Sequence, residues 1–143
     1  MEMRLEMLSS AQIEALRPKL TELFDDACHG NEIAQDEMTG DDVVQLGIDG
    51  IAAVFAGTMD GELACAFAVQ FHMTNGRKGA DMIALAGKHL LKFRAAYWHI
   101  FEEWLRANGV QFLDAYTPDK RAEVYMKKFG FNKSCAHLRM NLH

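Results

Sequence analysis

Apolar and charged residues alternate at the start of the chain, with Met3, Leu5 and Met7 set against Arg4 and Glu6. A period of two predicts a half-buried strand over residues 3–8. Ser9 follows, with Gln12 three positions on to complete a capping box and with Leu8 and Ile13 at the staple positions. The spacing then turns helical through Ile13, Leu16, Leu20, Leu23 and Phe24. Pro18 interrupts this run. It has no N–H and crowds the carbonyl four residues back, so a kink or break is expected near Arg17. Residues 29–39 are polar without a period and predict a loop. Gly40-Asp41-Asp42 opens a short helix through Leu46, its two acids lying at the positive end of the helix dipole.

Strand patterns return at 51–58, 62–73 and 80–86. Asp60-Gly61 and Asn75-Gly76 separate them, and both dipeptides suit the left-handed positions of a tight hairpin. The three strands therefore form an antiparallel meander. The longest helix is predicted over 88–108. Leu90, Phe93, Tyr97, Phe101 and Trp104 make its apolar stripe, flanked by Leu91, Ile100 and Leu105. Glu102 and Arg106 pair at i,i+4, and Asn108-Gly109 suits the left-handed cap that ends a helix. Residues 110–116 read as a strand, Thr117-Pro118-Asp119 opens a short helix that ends before Gly130, and 134–142 read as a last strand. A helix joining the strands at 80–86 and 110–116 makes a crossover, so those two strands are expected to be parallel.

The chain has 143 residues, half of them hydrophobic, which suits one domain over 1–143 with one sizeable core. A net charge of -5 does not favour nucleic acid or an anionic membrane as partner. No run of about 18 apolar residues is present to cross a bilayer. Met1-Glu2-Met3-Arg4 lacks the features of a signal peptide, and a cytoplasmic location is expected. Cys28, Cys65 and Cys135 form no Cys-x-x-Cys pair, so neither a zinc knuckle nor a disulfide framework is indicated, and no metal ligands are assigned.

The order of elements, together with Asp119-Lys120-Arg121-Ala122-Glu123-Val124-Tyr125-Met126-Lys127-Lys128-Phe129-Gly130-Phe131, resembles the GNAT superfamily of acyl-CoA-dependent N-acyltransferases. As topology the resemblance covers nearly the whole chain; as residues it covers 122–131. It implies an α+β fold, a central mixed and mostly antiparallel sheet with helices on both faces. It also implies acetyl-CoA as cofactor, lying between two parallel strands that splay apart. The pantetheine arm pairs with the backbone of the first splayed strand, here 81–86. Ala84 and Ala86 would allow close approach there, or simply pack under the long helix. The pyrophosphate meets the N-terminus of that helix, where first-turn amides are free. The family pattern is Arg or Gln, two residues, Gly, one residue, then Gly or Ala. It falls on His89-Leu90-Leu91-Lys92-Phe93-Arg94, so Lys92 and Arg94 stand in place of glycines. Glycine is used there because a side chain blocks the anion from the amides. Either Lys88, His89, Lys92 and Arg94 hold phosphate with side chains, or the site is closed and CoA is not bound. Ala86-Gly87-Lys88 offers another turn ahead of the helix. A solvated face accounts for the basic residues equally well, although cations at a helix N-terminus oppose its dipole unless an anion joins them.

The same resemblance implies that Tyr125 protonates the departing thiolate as general acid. Its plain alternative is a core aromatic with its hydroxyl at the surface. Asp119 stands where the family often has Asn near the cofactor arm, and caps the short helix as well. No general base is assigned; Asp81, Glu62, His72 and Asp114 lie on strands near the expected cleft. Cys65 and Cys135 lack basic neighbours in sequence and are not expected to act as nucleophiles. The loop at 29–39 is a candidate lid. The expected activity is acyl transfer from acetyl-CoA to a small-molecule or protein amine, with an acceptor side that is either shortened or completed by a second copy in a homodimer. The alternative is a GNAT-fold protein without catalysis that acts by binding proteins. Ala86-Gly87-Lys88 and Lys92-Phe93-Arg94 are similar in spacing to small GNAT-like proteins of tailed phages, which would imply a virion or host-takeover role.

Overall fold

The computed structural model describes residues 2–28, 38–115, 127–128, 130–132 and 140. β1 spans Met3–Met7 and α1 spans Ser10–Ala15. The capping box at Ser9 forms as expected. The Gln12 N–H donates to Ser9 Oγ at 3.2 Å, and the Ser9 N–H donates to Gln12 Oε1 at 2.9 Å. The helical run breaks where Pro18 requires it. Leu16 leaves helical geometry and α2 restarts over Arg17–Cys28, which places Pro18 in a first turn, where no helical partner for its N–H exists anyway. α3 spans Gly40–Ile48, two residues longer than its sequence pattern predicts. Thr39 caps it with Asp42 in a second capping box. α3 lies very close to α2: a Cβ on Gly40 would sit 2.3 Å from the Thr21 carbonyl oxygen, and the Gly40 N–H donates to Asp25 Oδ1 at 2.7 Å. Arg17 reaches Asp41 at 2.9 Å across the same helix pair.

β2 (Ala52–Met59), β3 (Glu62–Thr74) and β4 (Arg77–Gly87) form the meander. Its turns hold Asp60 and Gly61 at φ 52° and 83°, and Asn75 and Gly76 at φ 51° and 76°. Left-handed angles at both central positions match the right-handed twist of the flanking strands. α4 spans Leu90–Ala107 and leads to β5, Phe112–Ala115. The five-stranded sheet runs β1-β2-β3-β4-β5, antiparallel except for the β4–β5 pair, which is parallel as the crossover predicts.

Alternation along the strands divides the core into two layers. Val54, Ala66, Ala68 and Ala84 face α1, α2 and α3, where they pack with Ile13, Leu20, Phe24, Val43 and Val44. Small strand residues let three helices lie close. Phe55, Phe67, Val69, Ala80 and Met82 face α4 and its Phe101 and Leu105. Larger side chains fill the space over which a single helix lies. Phe55 stacks on Phe67 at 4.8 Å, and Phe101 meets both rings edge-on at 5.6 and 5.0 Å. Two positions flanking the expected stripe of α4 turn outward: Leu91 and Ile100 are 46% and 50% exposed. Trp98 packs against this layer instead. A helix resting on one sheet buries a narrower arc than its full apolar set.

Cys65 sits in the α4-facing layer at 1% exposure, and burial pushes its thiol up to about 11, against a lowering contribution from the Gly57 backbone. Under 1% of this thiol is ionised at neutral pH, and the thiolate is the reactive form. Peptide mapping after brief iodoacetamide treatment is therefore expected to find Cys65 unmodified in the native protein and modified after denaturation.

Candidate cofactor cleft and polar cluster

The cleft begins with an irregularity in β4. Met82 pairs with Val69 but Ala84 pairs with Ala68, so Ile83 is an extra residue on the β4 side. This is a β-bulge, which bends a strand and increases its twist. It also switches the alternation. Ala80 and Met82 face α4 before the bulge, and Leu85 faces it afterwards, while Ile83 and Ala84 both pack toward α1–α3. The parallel ladder to β5 is described from Gly79↔Phe112 to Met82↔Ala115, the last described residue of β5. β4 itself continues to Gly87. Among the described residues, no strand pairs with the β5-side edge over residues 83–87.

The chain then turns sharply into α4. Gly87 has φ 117° and His89 has φ 61°. The intervening Lys88 N–H donates to the Ala64 carbonyl at 2.8 Å. Lys92 and Phe93 both donate to the His89 carbonyl, at 3.0 and 3.1 Å, and no side chain caps the helix. The amides of Leu90 and Leu91 therefore have no intrahelical acceptor, and the positive end of the helix dipole lies at the end of β4.

The sequence candidates divide around this turn. Lys88, His89 and Lys92 are exposed at the start of α4. Arg94 is half-buried and lines a cavity of about 30 Å³ beneath α4, with Leu85, Leu90, Tyr97 and Trp98 among its other walls. That space suits about one or two waters and is far too small for a cofactor. Ala84 and Ala86 are buried at 6% and 7%. Ala84 packs with the helices α1–α3, on the face opposite the long helix. Tyr125 and Asp119 lie outside the described residues, as do the candidate lid at 29–39, except Met38 and Thr39, and the final strand expected at 134–142, except Met140. Lys127 and Lys128 are helical, and the Gly130 N–H donates to the Lys127 carbonyl at 3.0 Å with Gly130 at φ 102°. That is the glycine-ended helix the sequence implies.

Three of the four acid–base candidates converge, on the sheet face that α1–α3 cover farther along. His72, Asp81 and Asp114 each offer a ligand atom, and these atoms all lie within 4.8 Å of one another. Asp81 and Asp114 are paired in the β4–β5 ladder, one step before its described end. His72 Nε2 is 3.4 Å from Asp81 Oδ1, and His72 Nδ1 is 3.1 Å from Thr74 Oγ1. The Phe112 ring lies edge-on to the imidazole at 5.4 Å. Gly79 makes room for both rings, since a Cβ there would fall 2.3 Å from Phe112 and 2.7 Å from His72 Cε1. Burial raises the Asp81 pKa above its usual value; His72 opposes that rise and Asp114 adds to it. Glu62, the fourth candidate, is exposed at the opposite end of β3 and is not part of the cluster. Each residue was legible as a strand candidate, but neither the face of His72 nor the β4–β5 register that aligns the two aspartates was.

No protein-family model matches the chain, and no curated protein matches it. Solved structures do. An aminoglycoside acetyltransferase from an uncultured soil metagenomic sample aligns over 100% of both chains with TM-score 0.71 and 16% identity. Glucosamine-6-phosphate N-acetyltransferase from Arabidopsis thaliana aligns over 100% of both chains with TM-score 0.63 and 13% identity. Ribosomal-protein-alanine N-acetyltransferase from Brucella melitensis biovar Abortus 2308 aligns over 99% of both chains with TM-score 0.65 and 11% identity. At these identities the likeness is one of architecture, and that architecture, a bulged mixed sheet between helices on both faces, is the GNAT acyltransferase fold.

Proposed function

We propose that this chain is an acyl-CoA-dependent N-acyltransferase acting on an amine. The observation that carries the proposal is the junction of β4 with α4. A bulge at Ile83 bends β4, and the same strand delivers the uncapped positive end of a helix. An extended edge takes an amide-bearing chain as an added strand, and open helix amides take phosphate. The architectural neighbours named above are acetyltransferases whose names give different acceptors: an aminoglycoside, glucosamine-6-phosphate and a ribosomal-protein alanine. The acceptor class proposed here is therefore an amine, small-molecule or protein.

The residues fit a CoA thioester, which when bound supplies the activated acyl group. The backbone of residues 83–87 would pair with the pantetheine amides. The Leu90 and Leu91 amides, with Lys88, His89 and Lys92 exposed beside them, hold the pyrophosphate. Lys92 occupies a family glycine position but projects into solvent, leaving the amides accessible. Arg94 contributes from the half-buried side of the same turn. Ala84 and Ala86 act through their backbone, because their side chains are buried. Asp119 would position the cofactor arm, and Tyr125 would protonate the thiolate as the amine displaces it, the proton lost by the amine passing to solvent.

Acetyl-CoA is expected to raise the thermal midpoint. A ligand that binds only the folded state stabilises it by about 2.7 kcal/mol at a hundredfold excess over Kd. Lys92→Glu is expected to weaken acetyl-CoA binding at least tenfold while slightly raising the midpoint of the free protein, because an acid suits the start of a helix. Absence of any shift at millimolar acetyl-CoA would overturn the proposal in favour of a GNAT-fold protein that acts by binding other proteins. Unaltered affinity in Lys92→Glu would remove that residue from the phosphate site.

A further inference from the structure

We propose that His72, Asp81 and Asp114 form a binding site for a divalent transition-metal cation, with zinc the preferred ion. One imidazole and two carboxylates come from three adjacent strands and bring their ligand atoms within 4.8 Å of one another. Two ligands held about 2.1 Å from a tetrahedral ion lie about 3.4 Å apart. His72 Nε2 and Asp81 Oδ1 are separated by 3.4 Å.

A second observation concerns how these two atoms are held. They are shielded from solvent and face each other at 3.4 Å as an imidazole–carboxylate pair, without a well-aligned hydrogen bond. The two side chains as wholes are 27% and 28% exposed, which leaves an entry path and room for water as a further ligand. Buried polar atoms are normally paired; a proton on Nε2 joins these two as an ion pair, and a cation between them joins them equally well at this spacing.

The surroundings orient the imidazole. With its proton on Nδ1, His72 donates to Thr74 Oγ1 and presents the Nε2 lone pair to Asp81. Metal-binding histidines commonly direct their second nitrogen to such a partner. Phe112 and the bare Gly79 backbone confine the ring. Asp114 crowds the negative charge of Asp81, and a cation relieves that crowding. A mixed nitrogen and oxygen set of three favours zinc and its first-row neighbours over magnesium, which takes oxygen ligands. The chain lacks any short metal motif because its ligands are assembled by strand register.

The test uses the full chain freed of metal by a chelator. Calorimetric titration with zinc chloride is expected to show one site that magnesium chloride does not fill. Long-range nitrogen–proton NMR is expected to show zinc shifting Nε2 of a single histidine whose Nδ1 stays protonated. His72→Gln and Asp114→Asn are each expected to weaken zinc binding by about 10- to 100-fold. The wild-type spectrum decides the matter even where a variant fails to fold. No saturable zinc binding, no shifted imidazole nitrogen, or affinity unchanged in both folded variants would overturn the proposal. Acetyl-CoA binding by the zinc-free chain is measured separately, so failure of either proposal leaves the other standing.

Discussion

Gly87→Ala is expected to destabilise the protein by about 2–5 kcal/mol, the sum of a left-handed backbone penalty and an overpacking term. Gly87 has φ 117°, where an L side chain is strained. An added Cβ would also fall 2.3 Å from the Ala64 carbonyl oxygen and 2.5 Å from Cys65 Cα. Both obstacles are β3 backbone and cannot rotate aside. The contact also joins function to fold, because the Lys88 N–H bonds that same carbonyl and sets the start of α4 against β4. The variant should therefore lose acetyl-CoA affinity along with stability. Gly50→Ala is the internal control. Gly50 has φ 75°, but a Cβ there would meet nothing within 4 Å. It should show the backbone penalty alone, about 1–2 kcal/mol. Thermal unfolding of the two variants makes the comparison, and equal losses would mean that β3 and the turn are not in contact.

Phe101→Ala is expected to cost about 3–5 kcal/mol, the range for truncating a buried aromatic. Phe101 is 3% exposed and lies among Phe55, Phe67, Trp98 and Trp104, at ring separations of 5.6, 5.0, 5.4 and 6.0 Å. Removing it leaves a cavity beneath α4 that these rings cannot close without leaving their own packing. The neighbouring Ile100 is 50% exposed, and Ile100→Ala should change stability by about 0.5 kcal/mol or less. Denaturant midpoints at constant slope measure both. A large loss at Ile100 with a small one at Phe101 would mean that α4 is rotated about its axis relative to the sheet.

These contrasts show what the hydrophobic pattern conveyed. Both residues belong to the apolar set read from the sequence, and periodicity alone placed Ile100 beside the buried stripe. The structure buries Phe101 and exposes Ile100 because one helix on one sheet covers a limited arc. Ala84 presents a similar case. Its small size was legible, but only the bulge at Ile83 decided that it packs under α1–α3. Nothing in Met82-Ile83-Ala84 marks a bulge, since all three residues are apolar and suit a buried strand equally. Asp81 and Asp114 were each visible as candidates. Their alignment depends on a parallel register between segments joined by a whole helix.

The chain by itself determined its local backbone chemistry. The capping residue Ser9, the break at Pro18, the Asp60-Gly61 and Asn75-Gly76 hairpins, and the helix that enforces a parallel pair all act over a few residues. Their partners are near in sequence, so composition and spacing suffice. Tertiary structure alone decided the bulge, the face on which each apolar residue is buried, and the meeting of His72, Asp81 and Asp114. Those features arise from register between distant strands, and a shift of one residue would turn each side chain to the other face.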